Sequence, residues 1–200
     1  MDELDIALAR LTIVPTIACP SHVAPATEQT PEWRELKFGS VAGGKGSMAP
    51  EAYQKKTISE GTRIPCEKSS HMRIDLERLE IVKMPKFIDN PRGLEFTEDF
   101  DAVQIIGAKR IYINLKSISG TGGGQTRSVR EIYWFIDGQL QIAPKYPLYY
   151  FANILDGAQS PKYKKHFDYL ISKAQYEHNK KQIYIGDLKD YFAWFKTIVA

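Results

Sequence analysis

Residues 111–135 read IYINLKSISGTGGGQTRSVREIYWF: an alternating strand, a glycine-rich turn, then an amphipathic helix that opens with two arginines and a glutamate. Side chains on a strand alternate between faces, so Ile111, Ile113 and Leu115 share one face, expected to be the core face, and Tyr112, Asn114 and Lys116 share the other. Past Gly120, Gly122, Gly123 and Gly124, the residues Val129, Ile132, Tyr133, Ile136 and Leu140 recur at helical spacing and predict one buried helix face. Upstream, LEFTEDFDAVQII and KRIYINLKSIS read as two strands meeting in a hairpin at Gly107. Downstream, PLYYFANIL is a third strand ended by Asp156 and Gly157, and Tyr163, Phe167, Leu170, Ile171 and Ala174 mark a second helix. QIYIG is a fourth strand, and DLKDYFAWFKTIV a last helix capped by Asp187. This order predicts an α/β fold, a mixed central sheet flanked by helices.

The 200 residues suffice for one well-packed core. Residues 24–70 are rich in Pro, Gly, Ser and charge without a sustained period, so they are expected to be mostly loop. We therefore expect one compact domain, with a loop-rich part over 1–93 serving target recognition or dimerisation and a core over 94–200. No run approaches the roughly 18 to 20 apolar residues of a membrane helix, so no membrane partner is expected. The net charge of +3 permits a nucleic-acid partner without requiring one. Cys19 and Cys66 have neither metal spacing nor the density of a disulfide framework, which predicts a reducing, cytoplasmic setting. The opening MDELDIALARLTIVPTIAC ends like a lipoprotein cleavage box, but Asp2, Glu3 and Asp5 replace the positive leader and Pro15 interrupts the apolar run.

Phe100 points to one face of its strand, and Asp99 and Asp101 to the other. If the apolar faces of the paired strands coincide, one or both aspartates meet Asn114 and Lys116 at one edge of the sheet. Carboxylate and amide oxygens suit Mg²⁺, a hard cation that keeps several waters. The metal polarises a phosphoryl oxygen, and a lysine orients water and offsets developing negative charge.

On these residues the chain resembles a known family. FDAVQIIGAKRIYINLK looks like the metal-binding core of the PD-(D/E)xK nuclease superfamily, particularly type II restriction endonucleases. The match sets Asp101 as the first acid, Asn114 at the (D/E) position and Lys116 as the lysine. SGTGGGQTRSVREIYWFIDGQ is similar to the turn and helix that follow the second core strand in some restriction enzymes, and NILDG and IYIGDL fit the rest of that core. The resemblance covers roughly residues 95–199. EDFD replaces Pro-Asp and Asn114 replaces the second carboxylate, for which Glu131 on the following helix is a compensating acid. The resemblance implies a restriction-endonuclease-like core and Mg²⁺-dependent, site-specific cleavage of double-stranded DNA in a prokaryotic cytoplasm. It also implies a homodimer matching a palindrome and a companion DNA methyltransferase. Asp101, Asn114 and Asp99 are the candidate metal ligands, and Asp101, Asn114, Lys116 and Glu131 the candidate catalytic set.

Gln125, Arg127 and Arg130 follow the glycine turn at a helix N-terminus, where phosphate is favoured, and are the candidate DNA contacts. Arg127 either reaches DNA or pairs with Glu131 four residues on. GSVAGGKG at 39–46 nearly spells a phosphate-binding loop, but Gly46 stands where Ser or Thr must ligate Mg²⁺. His166 with Lys162, Lys164, Lys165 and Lys173 reads as a solvated face or a path for a phosphate backbone. Tyr191, Trp194 and Phe195 read as core packing or a dimer seam. Two alternatives stand beside the nuclease: a catalytically depleted DNA-binding protein of the same fold, favoured by Asn114, and a nucleotide-binding enzyme using Lys45.

Overall fold

The computed structural model describes residues 49–84, 86–118, 123–156 and 160–199. Helix α1 (Ala49–Thr62) leads into a short antiparallel pair, β1 (Met72–Asp75) and β2 (Glu80–Lys83). A four-stranded sheet follows, built from β3 (Ala102–Ile106), β4 (Lys109–Ser117), β5 (Tyr149–Asp156) and β6 (Ile183–Gly186) in the order β3-β4-β5-β6. Strands β3 and β4 are antiparallel, while β4, β5 and β6 run parallel. Parallel neighbours need a crossover. Helix α2 (Gly123–Ile142) links β4 to β5, α3 (Lys164–Ile171) lies between β5 and β6, and α4 (Leu188–Val199) ends the chain.

The α/β class with a mixed, helix-flanked sheet is as expected, and the hairpin turns at Gly107, whose φ of +58° suits glycine. The sheet is buried on both faces, so the face of Tyr112, Asn114 and Lys116 packs in addition to the expected core face of Ile111, Ile113 and Leu115. Ile111, Ile113 and Leu115 pack with Ile58 of α1 and with Leu188, Tyr191, Phe192 and Phe195 of α4. On the other face Tyr112 packs with Phe100, Phe151 and the α2 residues Val129, Ile132, Phe135, Ile136 and Leu140. Phe100 centres that layer, with its ring 4.9 Å from both Tyr112 and Phe135. Helices on both sides of a largely parallel sheet leave no open face. Tyr191 and Phe195 are core residues, and Asp187 caps α4 by accepting the Asp190 N–H at 2.9 Å.

Two further differences concern the first half. Part of the segment expected to be loop is the helix α1. The expected strand from Leu94 onward begins only at Ala102, because residues 95–100 bond to β1: Thr97 N–H to Ile74 O at 2.9 Å and Phe100 N–H to Met72 O at 3.0 Å. The near phosphate-binding loop at 39–46, the lipoprotein-like box and Cys19 lie outside the described residues. No helix among the described residues is long and apolar enough to cross a membrane.

Candidate functional site

A cleft of about 290 Å³ opens where β4 ends beside α2. Asn114 and Lys116 line it from the strand and Glu131, Ile132, Trp134 and Phe135 from the helix, while Leu76, Phe96, Thr97 and Glu98 close the far side. Alternation puts Asn114 and Lys116 on the α2 side of the sheet, and α2 runs back along that side with Glu131 opposite. The sequence therefore meets itself here over a short span.

Asp101 stands just before β3. Its N–H bonds to Ile113 O at 2.9 Å, and its carboxylate accepts the Leu115 N–H at 2.7 Å. The side chain thus continues the ladder where β3 offers no further backbone carbonyl. It is not part of the cleft wall, but Lys116 and the α1 residues Glu51 and Lys55 are within electrostatic reach. Burial pushes its carboxyl up to about 6, with Glu51 adding to the rise and the Leu115 N–H, Lys116 and Lys55 opposing it. Asp99, the alternative metal ligand, points elsewhere: Arg73 Nε lies 2.6 Å from one of its oxygens and His71 Nδ1 3.1 Å from the other. Of the two aspartates only Asp101 joins the Lys116 group.

Lys116 donates to Glu98 at 3.1 Å. Burial works against its ammonium, yet Glu98, Asp101 and Glu131 outweigh it and hold the pKa above the ordinary lysine value. It is a cation at neutral pH, suited to holding water or anionic oxygen and not to accepting a proton.

Asn114 is 2% exposed and belongs to a buried amide network. Its Nδ2 donates to Asn153 Oδ1 at 3.4 Å, which also accepts from Gln139 Nε2 at 3.1 Å. Asn153 Nδ2 in turn donates to Gln139 Oε1 at 2.7 Å and to Tyr184 O at 3.3 Å. The nitrogen of Asn114 is committed inward, and its Oδ1 is the atom left for the cleft.

The chain matches no known family, curated protein or solved structure with which it was compared.

Glu131, Arg127 and Arg130 are exposed on α2, and the expected alternative of an Arg127–Glu131 ion pair does not form. The side chain of Gln125, together with Gly120 and Gly122, lies outside the described residues. Sequence reasoning missed Glu98 and Trp134 on the cleft wall, and Asn153 and Gln139 behind Asn114. Asn153 was findable in principle, as a lone amide inside the apolar run YYFANIL. Asp156, at the end of β5, is a second buried acid: Gln54 Nε2 and the Leu188 N–H donate to it, and burial raises its carboxyl to about 6. Among the described residues no three His, Cys, Asp or Glu side chains gather as a metal-ligand group. Mg²⁺ uses only one or two carboxylates beside its waters. The oxygens of Asp101, Asn114 and Glu131 are of the hard type it takes, and Asp101 is a desolvated carboxyl whose ionised form a nearby cation would favour.

Proposed function

We propose that this protein is a Mg²⁺-dependent DNA endonuclease of the PD-(D/E)xK type, cutting phosphodiester bonds at the mouth of the β4–α2 cleft. The observation that carries this is that Asp101 and Glu131 lie within electrostatic reach of Lys116, which shares its strand face and the cleft wall with Asn114 where β4 ends. Asp101, with Asn114 Oδ1 and Glu131, would hold the metal, which when bound supplies Lewis-acid polarisation of the scissile phosphoryl group. Lys116 holds the attacking water and offsets charge that builds on the phosphate. Glu98 restrains the ammonium until substrate phosphate displaces it. Arg127 and Arg130 position the DNA backbone without reading sequence. Two-strand cleavage requires two such sites, hence a homodimer on a two-fold substrate, and a partner methyltransferase protects the host.

The test is incubation of the full chain with unmethylated plasmid and phage DNA in Mg²⁺ or EDTA, alongside Lys116→Ala. Metal-dependent fragments that disappear in the variant support the nuclease; intact DNA across substrates and metals rejects it. The second reading, a DNA-binding protein that does not cut, is favoured by one observation: Asn114 is bonded into the core amide network and brings no charge to a cation. It predicts salt-sensitive retardation of DNA with no product.

A further inference from the structure

We propose that the exposed side of α2 beside the cleft seats an unpaired segment of single-stranded DNA, with Trp134 stacking on one of its bases. This rests on the cleft being a DNA site and adds, beside the duplex cut there, a seat for a segment that is unpaired or extruded. Arg127, Arg130, Glu131 and Trp134 stand at i, i+3, i+4 and i+7, so they share one side of the helix, and all four are exposed. Trp134 is 58% exposed although both neighbours in the turn, Ile132 and Phe135, are buried. An indole left open forgoes the stabilisation its burial would bring. It is nonetheless held: Tyr133 meets its ring edge-on, with centroids 5.5 Å apart at 86°, which fixes the plane without covering it.

Charge tells which chemistry fits where. Neither Arg127 nor Arg130 has an ion-pair partner among the described residues. From Arg127 to Trp134 the helix rises about 10 Å, the length of about three nucleotides of a stacked strand. Phosphates suit the arginine end. At the Trp134 end Glu131, together with Glu98 paired to Lys116, makes the cleft unfavourable to phosphate when no cation is bound there, but not to a neutral base face. A basic track ending in an open aromatic ring is the arrangement that holds single strands by backbone and stacking together. Inside a duplex both faces of each base are already covered, so the ring is usable only where a nucleotide is unpaired or extruded. Its arginine end carries two cations without ion-pair partners among the described residues, which suits a polyanion better than a second copy of itself.

The experiment measures fluorescence anisotropy of the full chain with a labelled 12-nucleotide oligo-dT and with a blunt duplex of equal length, in EDTA so that nothing is cut. The single strand should bind at least tenfold more tightly and quench tryptophan emission. Trp134→Ala should weaken it roughly 5- to 150-fold. Trp134→Phe should retain most of the affinity and lose the quench, and Arg130→Gln should flatten the salt dependence by about 0.7 in slope. Equal affinity for duplex, or a normally folded Trp134→Ala that binds like the parent, overturns the proposal. So does a Trp134→Ala variant that changes only sedimentation, which would make the face a subunit contact. Trp134-dependent single-strand binding without Mg²⁺-dependent cutting would sink the nuclease and leave this platform standing. Cutting that ignores Trp134 would do the reverse.

Discussion

The carboxylate of Asp101 accepts the backbone N–H of Leu115 at 2.7 Å, so the acid at the entry to the sheet is tied to the strand that carries Lys116. Burial already favours the neutral form of this carboxyl. Asn at this position keeps an oxygen for the Leu115 N–H and removes the charge. Asp101→Asn should therefore reduce metal-dependent cleavage at least about a hundredfold, with an unfolding temperature at pH 7 equal to or above the parent's. Plasmid cleavage and thermal unfolding on the same preparation check both halves; a large loss of stability would contradict the assignment.

Lys116 and Glu98 are both partly open to solvent. Such a pair contributes at most about 1 kcal/mol, so Glu98→Gln should leave urea unfolding almost unchanged and retain cleavage. Lys116→Ala should be as well folded yet inactive. Equal loss of activity in the two variants would mean that the ion pair, and not the lysine, is what matters.

The amide network makes a different demand. Asn153→Ala strips partners from both Asn114 and Gln139, and each buried polar group left unpaired costs about 1–3 kcal/mol. A shift of about 2–4 kcal/mol in chemical denaturation at unchanged slope is expected. Asn114→Asp would bring a carboxylate up to Asn153 Oδ1. It should be destabilised without metal by about 1–3 kcal/mol while binding Mg²⁺ more tightly by calorimetry. Stabilisation in EDTA would show that Asn114 turns its oxygen, not its nitrogen, toward Asn153.

Asp156 gives the pH dependence. Its folded carboxyl is raised to about 6 by burial, above its unfolded value, so in the window between about 4 and 6 the folded state binds more protons than the unfolded. This group's contribution to stability is thus favourable at the acid end and declines as pH rises toward 6. Asp101, also raised to about 6, keeps its own share of the slope, so Asp156→Asn should reduce the slope without abolishing it and stabilise the protein at pH 7.5 by about 3 kcal/mol at most, at 1.36 per unit. Unfolding curves at pH 5 and pH 7.5 for both proteins decide it; an effect as large at pH 5 would rule out titration as the cause.

Elements with an unbroken period were legible. Helix α2 repeats its apolar residues over about three turns, β5 is an apolar run broken before its end only by Asn153, and Gly107 and Asp187 are local signals that need no tertiary context. Helix α1 was not legible, because the side it buries is largely polar: Gln54, Thr57 and Thr62 are all under 7% exposed, and Ile58 is its only fully buried aliphatic side chain among the described residues. The turn between β1 and β2 was hidden for another reason, since Leu79 holds a φ of +53° where glycine or asparagine would have been the recognisable sign. Within the site, strand alternation placed Asn114 and Lys116 on one face, whereas Glu131 entered only through the family resemblance. The choice between Asp99 and Asp101 could not be read, because Arg73 and His71 reach Asp99 from a segment whose position depends on the tertiary fold.

Asn114 and Asn153 stand directly opposite one another in the β4–β5 ladder. Over the paired stretches 111–115 and 150–154 every side chain but these two asparagines is aliphatic or aromatic, which leaves little else to tell one alignment from the next. A slip of two residues would preserve the faces yet set Asn114 against Phe151 or Leu155, stranding an amide in hydrocarbon; a slip of one would turn every side chain over. The pair is thus a registration mark, and the competing alignments it penalises are those that would carry Lys116 away from the mouth of the cleft.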